Sequence, residues 1–229
     1  MKTKLLLLAS VGATWMSPAS AIILGVDFEG IGSQAVIDEF YNGGIDSQGN
    51  SGPDLGLQFA GTSSAAVDSD VSLNFTFTNL FANEPSPNTV MFYARDEKYS
   101  HDGFGVVNFA ESFDTGVSFF YSQKSAISYL EVFEGLNGTG TSLGEFFLTQ
   151  NHDDDSCGGD PTGIFCNWDI AAFQFDGVAQ SIVVRGAPEK VLFDNLTLGS
   201  LEPVPLPAAA WLLGSGLLGF AAIRRRRQA

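Results

Sequence analysis

Histidine is almost missing from this chain of 229 residues, cysteine is confined to one close pair, and basic residues are scarce outside the two termini. The only histidines are His101 and His152. Gly140-Thr141-Ser142-Leu143-Gly144 has the spacing of a Gly-x-Ser-x-Gly elbow but opens no helix, and there is no His-Glu-x-x-His helix and no phosphate-cradling glycine loop, so no nucleophile with a base beside it and no zinc centre can be read. Gly138-Thr139-Gly140 with Gly144 has the wrong spacing for a nucleotide loop. Of the 11 lysines and arginines, six lie at the ends (Lys2, Lys4, Arg224, Arg225, Arg226 and Arg227). Between residues 22 and 201 five basic side chains face 25 acidic ones, a formal charge of −20 (5 − 25). Such a domain cannot assemble the basic patch that neutralises phosphates, which excludes nucleic acid as a partner. It suits an acidic exported protein and loosely held divalent cations.

Both termini read as targeting elements. Lys2 and Lys4 precede an apolar run from Leu5, and Ala19-Ser20-Ala21 is a small-x-small cleavage site, so residues 1–21 read as a signal peptide. Residues 202–229 carry Val204, Pro205, Leu206 and Pro207, an apolar stretch over 208–223, and the block Arg224 to Arg227. As a helix those 16 apolar or small residues would rise about 24 Å, short of the ~30 Å hydrocarbon core, and snorkelling arginines can close the difference. The prolines fix the helix start, and the positive-inside rule keeps the arginines cytoplasmic. One transmembrane helix is therefore predicted, as an inner-membrane anchor.

This ordered tail resembles the PEP-CTERM sorting domain of exported bacterial proteins, also catalogued as an ice-binding protein C-terminal domain. The family's Pro-Glu-Pro stands here as Pro205-Leu206-Pro207. The resemblance implies a Gram-negative-type host and an exosortase-type membrane transpeptidase that cuts near the motif and frees or re-attaches the ectodomain. It also implies an association with exopolysaccharide. The tail carries no information about what the ectodomain binds.

In Cys157-Gly-Gly-Asp-Pro-Thr-Gly-Ile-Phe-Cys166 an even, close pair in an exported chain reads as a disulfide, worth roughly 2.5–3 kcal/mol on the chain-entropy model. A zinc reading would need two further ligands, and His152 is the only obvious neighbour. His152 also opens onto the densest acidic run, Asp153-Asp154-Asp155, which lacks the Gly and Glu of an EF-hand loop.

Residues 22–201 form one domain of some 180 residues without helical periodicity. Short β-rich runs are predicted at 22–28, 35–41, 56–59, 71–77, 90–93, 106–109, 116–121, 127–133, 143–148, 171–175, 181–184 and 191–193. Leu73-Asn74-Phe75-Thr76-Phe77 alternates strictly, and Asn137-Gly138 supplies hairpin turn chemistry. Many short strands without helical crossovers imply an all-β, antiparallel, jelly-roll-like β-sandwich, with the 20 phenylalanines packed between the sheets.

The hairpin from Tyr129 to Gly140 and the closing Val191-Leu192-Phe193-Asp194-Asn195 are similar to those of carbohydrate-binding-module-like jelly rolls. In several of those families, acids at the first and last strands meet at a structural calcium ion. The resemblance implies that Asp27, Glu29 and Asp194 do so here. The leading expectation is a non-catalytic, exosortase-processed surface or extracellular-matrix protein associated with exopolysaccharide. The alternatives are a carbohydrate-binding module with structural calcium, which requires exposed aromatics on one sheet face or at loop tips, and a cryptic glycoside hydrolase, which requires convergent carboxylates in a cleft. Trp168, Tyr93, Tyr99 and Tyr121 are the aromatics named for the binding role.

Overall fold

The computed structural model describes residues 22–68, 81–93, 103–124, 128–152, 163–186 and 189–203. The signal peptide, the predicted strand at 71–77, Tyr99, His101, Cys157 and the whole sorting tail lie outside them. Among the described residues no helix is long and apolar enough to cross a membrane, and the 208–223 segment is not among them.

Among the described residues eleven strands follow in order: β1 (Leu24–Val26), β2 (Leu57–Gly61), β3 (Ser63–Val67), β4 (Thr89–Tyr93), β5 (Gly103–Phe113), β6 (Gly116–Gln123), β7 (Ser128–Gly135), β8 (Thr139–Leu148), β9 (Asp169–Gln174), β10 (Ala179–Gly186) and β11 (Val191–Leu198). They build two antiparallel sheets. The first runs β3-β4-β11-β6-β9, with β1 also on β11, and the second runs β2-β5-β10-β7-β8. From β4 onward the chain crosses between sheets at nearly every connection, the hairpin β7–β8 excepted, which is the jelly-roll manner of closing a sandwich.

Period-two alternation sends one face of each sheet inward. Val107 and Phe109, Ile182 and Val184, and Leu130 and Val132 meet Val117, Phe119, Tyr121, Phe193 and Leu198 in one core. Its rings pack edge to face, as Phe119 does on Phe193 at 5.5 Å and Phe113 on Phe175 at 5.6 Å. The phenylalanines are thus mainly core. A smaller cluster covers the outer side of the first sheet, where Phe81 and Phe165 pack on Ala66, Val90, Phe92 and Leu192.

Two expectations are corrected here. Residues 35–41 are a succession of turns with a single bridge, Val36 to Ser64, because Gln34 and Asp38 adopt φ of 61° and 45°. The excursion is organised by Asp46, 2% exposed, whose carboxylate accepts hydrogen bonds from Gly32 N, Gln48 N, Asn50 N and Asn50 Nδ2 at 2.8–2.9 Å. Burial opposes its charge, but these four donors prevail and hold the carboxyl below the usual carboxylate range. Conversely, β3 was not expected, since Ser-Ser-Ala-Ala-Val offers no large apolar residue. It is a strand because small side chains let it sit buried between β4 and the turns at 34–37.

Candidate functional site

Two places in the sandwich gather chemistry. The first lies where β11 changes neighbour. β4 pairs with Leu192 and Phe193, and β1 with Leu196 to Leu198. Between them the register slips, and Asn195 takes φ of 49°, a bulge conformation available to Asn. The bulge buries Asp194 completely, with its Oδ2 accepting from Ser86 N and its Oδ1 from Asn195 N, each at 2.6 Å. Beside it, Glu29 Oε1 accepts from Asn88 N and Thr89 N at 2.9 Å, and Asp27 Oδ1 accepts from Glu29 N at 3.2 Å. Asp194 of the last strand and Glu29 in the turn after the first therefore clamp residues 86–89 through their backbone N–H groups.

The structure brings the three predicted acids to one place. Asp27, Glu29 and Asp194 all act electrostatically on the hydroxyl of Tyr41, which is buried and makes no regular hydrogen bond, although the Phe28 backbone lies beside it. Burial pushes Asp194 up to about 7, against the stabilising donors of Ser86 and Asn195, and the neighbouring Glu29 adds to the rise. In chemistry this fits a hard cation: oxygen donors only, an orphaned buried hydroxyl and a buried carboxyl lacking a basic partner. Among the described residues, however, no three acidic, cysteine or histidine side chains close into a ligating group. Coordination would have to be completed by main-chain oxygens or water.

The second place is the outer face of the second sheet. Register puts Arg185, Tyr129 and Phe147 in one row across β10, β7 and β8, and Val183, Glu131 and Glu145 in the next. A third row, Ser181 with Phe133, is roofed by the 3-10 turn Leu136–Gly138 between β7 and β8. That turn is fastened by Asn137 N to Asn108 Oδ1 at 2.8 Å and Gly138 N to Ser181 Oγ at 3.0 Å, and it buries Val106, Phe133 and Val183. The uncovered end presents Phe147, 56% exposed, with the half-buried Tyr129 5.3 Å away and tilted by 34°. Arg185 Nε lies 3.9 Å from Glu131 Oε2.

This aromatic pair was not among those named from the sequence. Tyr93 and Tyr121 are core residues, 3% and 5% exposed, and Trp168 packs on the smaller cluster with its Nε1 donating to Ala82 O at 3.1 Å. Tyr99 lies outside the described residues. Alternation within Tyr129 to Phe133 marks the two faces, but only the partner strand shows which one is left open. Cys166 is buried, and among the described residues there is no free cysteine. Cys157, Val204 to Pro207 and Arg224 to Arg227 are outside them.

No family model and no curated protein matches the chain. Among solved structures it is similar to TmCBM61 in complex with beta-1,4-galactotriose, at 10% identity and a TM-score of 0.35, over 63% of this chain and 88% of that one. It is also similar to the family 11 carbohydrate-binding module of the cellulosomal cellulase Lic26A-Cel5E of Clostridium thermocellum, at 13% identity and a TM-score of 0.30, over 80% of this chain and 98% of that one. A third is the K2 cleaved adhesin domain of Lys-gingipain, at 8% identity and a TM-score of 0.41, over 78% of this chain and 98% of that one. The protein is an all-β, antiparallel, jelly-roll-like sandwich.

Proposed function

We propose that this is a non-catalytic polysaccharide-binding surface protein, exported and then processed at its tail. The observation that carries the reading is the Tyr129–Phe147 pair at the uncovered end of this sheet face, with Phe147 exposed and Tyr129 half-buried. Sugar rings stack on such apolar surfaces while charged neighbours engage their hydroxyls. Binding should be measured by a glycan array followed by titration. Phe147→Ala is expected to weaken the best glycan tenfold or more, about 1.4 kcal/mol, with the melting temperature unchanged because the side chain is exposed. Unaltered glycan affinity in Phe147→Ala and Tyr129→Ala would remove this face from the function.

The hydrolase alternative is weakened by accessibility. Asp194 and Glu29 have the unequal environments that a general acid and its partner require. Asp194 is nevertheless fully buried with both oxygens engaged, so a glycosidic oxygen has no path to it. Calcium enters the proposal as a structural ion beside Asp27, Glu29 and Asp194, with main-chain oxygens or water completing its coordination, bracing the 86–89 turn rather than touching ligand.

Processing belongs to the same proposal, with Pro205 to Pro207 directing exosortase cleavage and the 208–223 segment acting as a temporary inner-membrane anchor. Mass spectrometry of the protein from its native host should find the mature form ending near the motif. Replacing Pro205 and Pro207 by Ala should leave full-length precursor in the membrane. Recovery of Leu212 to Arg227 in the dominant mature species contradicts this.

A further inference from the structure

The exposed face carries a charge pattern that sugar stacking alone does not require. Glu131 stands directly opposite Glu145 in the β7–β8 register, an arrangement that destabilises a sheet unless a cation lies between the carboxylates. Arg185 is the one basic side chain in an ion pair on this face among the described residues, and it reaches Glu131 from the far side at 3.9 Å. Glu145 lies on the edge strand away from Arg185, exposed, and no basic partner is found for it among the described residues. The three charges sum to −1, within a chain of net charge −15. A local rule broken at an exposed position marks a functional place more often than a fault.

The aromatic pair is the independent second feature. Tyr129 and Phe147 precede and follow the glutamates by two residues on the same strands, so the two rows lie about 7 Å apart on one face. Ring faces attract cations as carboxylates do, and the two rows therefore favour the same kind of ligand. Phe147 is exposed and the two rings are tilted by only 34° rather than set as the walls of a cage, which suits a flat sugar ring better than a single lysine side chain. A polyuronate would meet repulsion from both glutamates and from the field of the whole domain.

Resting on the polysaccharide reading, we propose that the polymer bound is cationic: an amino-sugar chain with free amines, one ring stacked on Phe147 and Tyr129 and an ammonium group drawn between Glu131 and Glu145. The discrimination arises from charge, so it weakens with salt, whereas the stacking contribution does not.

The test titrates the full protein with a glucosamine hexamer, its fully N-acetylated counterpart, a neutral glucose hexamer, a uronate hexamer and polylysine, below the pKa of the sugar amine. The expected result is at least tenfold tighter binding of the free-amine hexamer than of the acetylated one. That ratio should fall several-fold in 0.5 M salt, on the order of a 4 Å Debye length. Glu145→Gln should bring the ratio close to one by loss of the preference for the free amine, with the melting temperature no lower than the wild type's because the Glu131–Glu145 repulsion is relieved. Equal affinity for the two hexamers, or a preference untouched by Glu145→Gln, overturns the proposal and leaves the polysaccharide reading standing. Binding to none of the sugars overturns both. Polylysine bound as tightly as the amino sugar, with no loss in Phe147→Ala, makes the face a polycation or protein contact and also overturns the proposal.

Discussion

Gly105→Ala is expected to cost about 3 kcal/mol or more, at the severe end of overpacking substitutions. A Cβ at this position would stand 1.5 Å from Cε1 of Tyr93 and 2.2 Å from its Cδ1. Tyr93 cannot swing aside, because its ring is 3% exposed and held edge to face against Phe193 at 5.8 Å. Gly105 itself sits in the middle of the second sheet, opposite Gly61 on β2 and Val184 on β10, so its backbone cannot retreat without breaking two ladders. For a domain of this size the melting temperature should fall by roughly 6–12 °C, at 2–4 °C per kcal/mol. Thermal unfolding of Gly105→Ala, Tyr93→Ala and the double variant checks the cause. The ring removal should relieve the clash, so the double variant should be much less destabilised than the sum of the singles. Strict additivity would place the damage in the strand backbone instead.

The second large effect is an inverted pH dependence at the Asp194 bulge. A carboxyl with a folded pKa raised from 3.8 to about 7 holds its proton in the native state when the unfolded chain has lost it. Stability from this group is therefore complete below about pH 4 and is lost as pH rises towards about 7. The groups facing it, Glu29, Asp27 and Tyr41, are acidic or neutral, so none of them offsets the charge. Asp46 works in the opposite sense. Its lowered pKa contributes stability above 3.8 that disappears only on stronger acidification. Stability in chelator should thus peak in mildly acidic buffer and decline towards pH 8.

Calcium should act where that decline is complete. If Asp27, Glu29 and Asp194 hold the ion, native-state binding stabilises by about 2.7 kcal/mol at one hundred times the dissociation constant. The melting temperature at pH 8 should then rise by several degrees with millimolar calcium, and magnesium should do less because it resists dehydration. Asp194→Asn should flatten the pH profile and abolish the calcium response. A wild-type melting curve in calcium identical to that in chelator would leave the acids as a clamp on the 86–89 turn alone. A profile that still falls between pH 4 and 7 in Asp194→Asn would assign the titration to another group.

The strands were legible wherever large apolar residues alternate with polar ones, as in β7, and wherever they run unbroken, as in β4. Legibility failed where size and conformation, not hydrophobicity, set the structure. β3 is written in serine and alanine, and residues 35–41 look like a strand but fold as turns beside a buried aspartate, Asp46, a few residues further along the chain. The grouping of Asp27, Glu29 and Asp194 came from the resemblance to carbohydrate-binding-module-like jelly rolls, not from the residues themselves. Their engagement with the N–H groups of residues 86–89 was not legible, since a backbone donor has no sequence signature.

Composition and periodicity by themselves determined that this chain is acidic and its domain all-β, because charge balance and periodicity are properties of the chain alone. The exposure of particular rings was decided only in three dimensions. Alternation assigns Tyr129 and Tyr121 to one or other face of their strands with equal ease. Burial depends on what lies opposite that face: a second sheet over Tyr121, the 3-10 turn over Phe133, and solvent over Phe147.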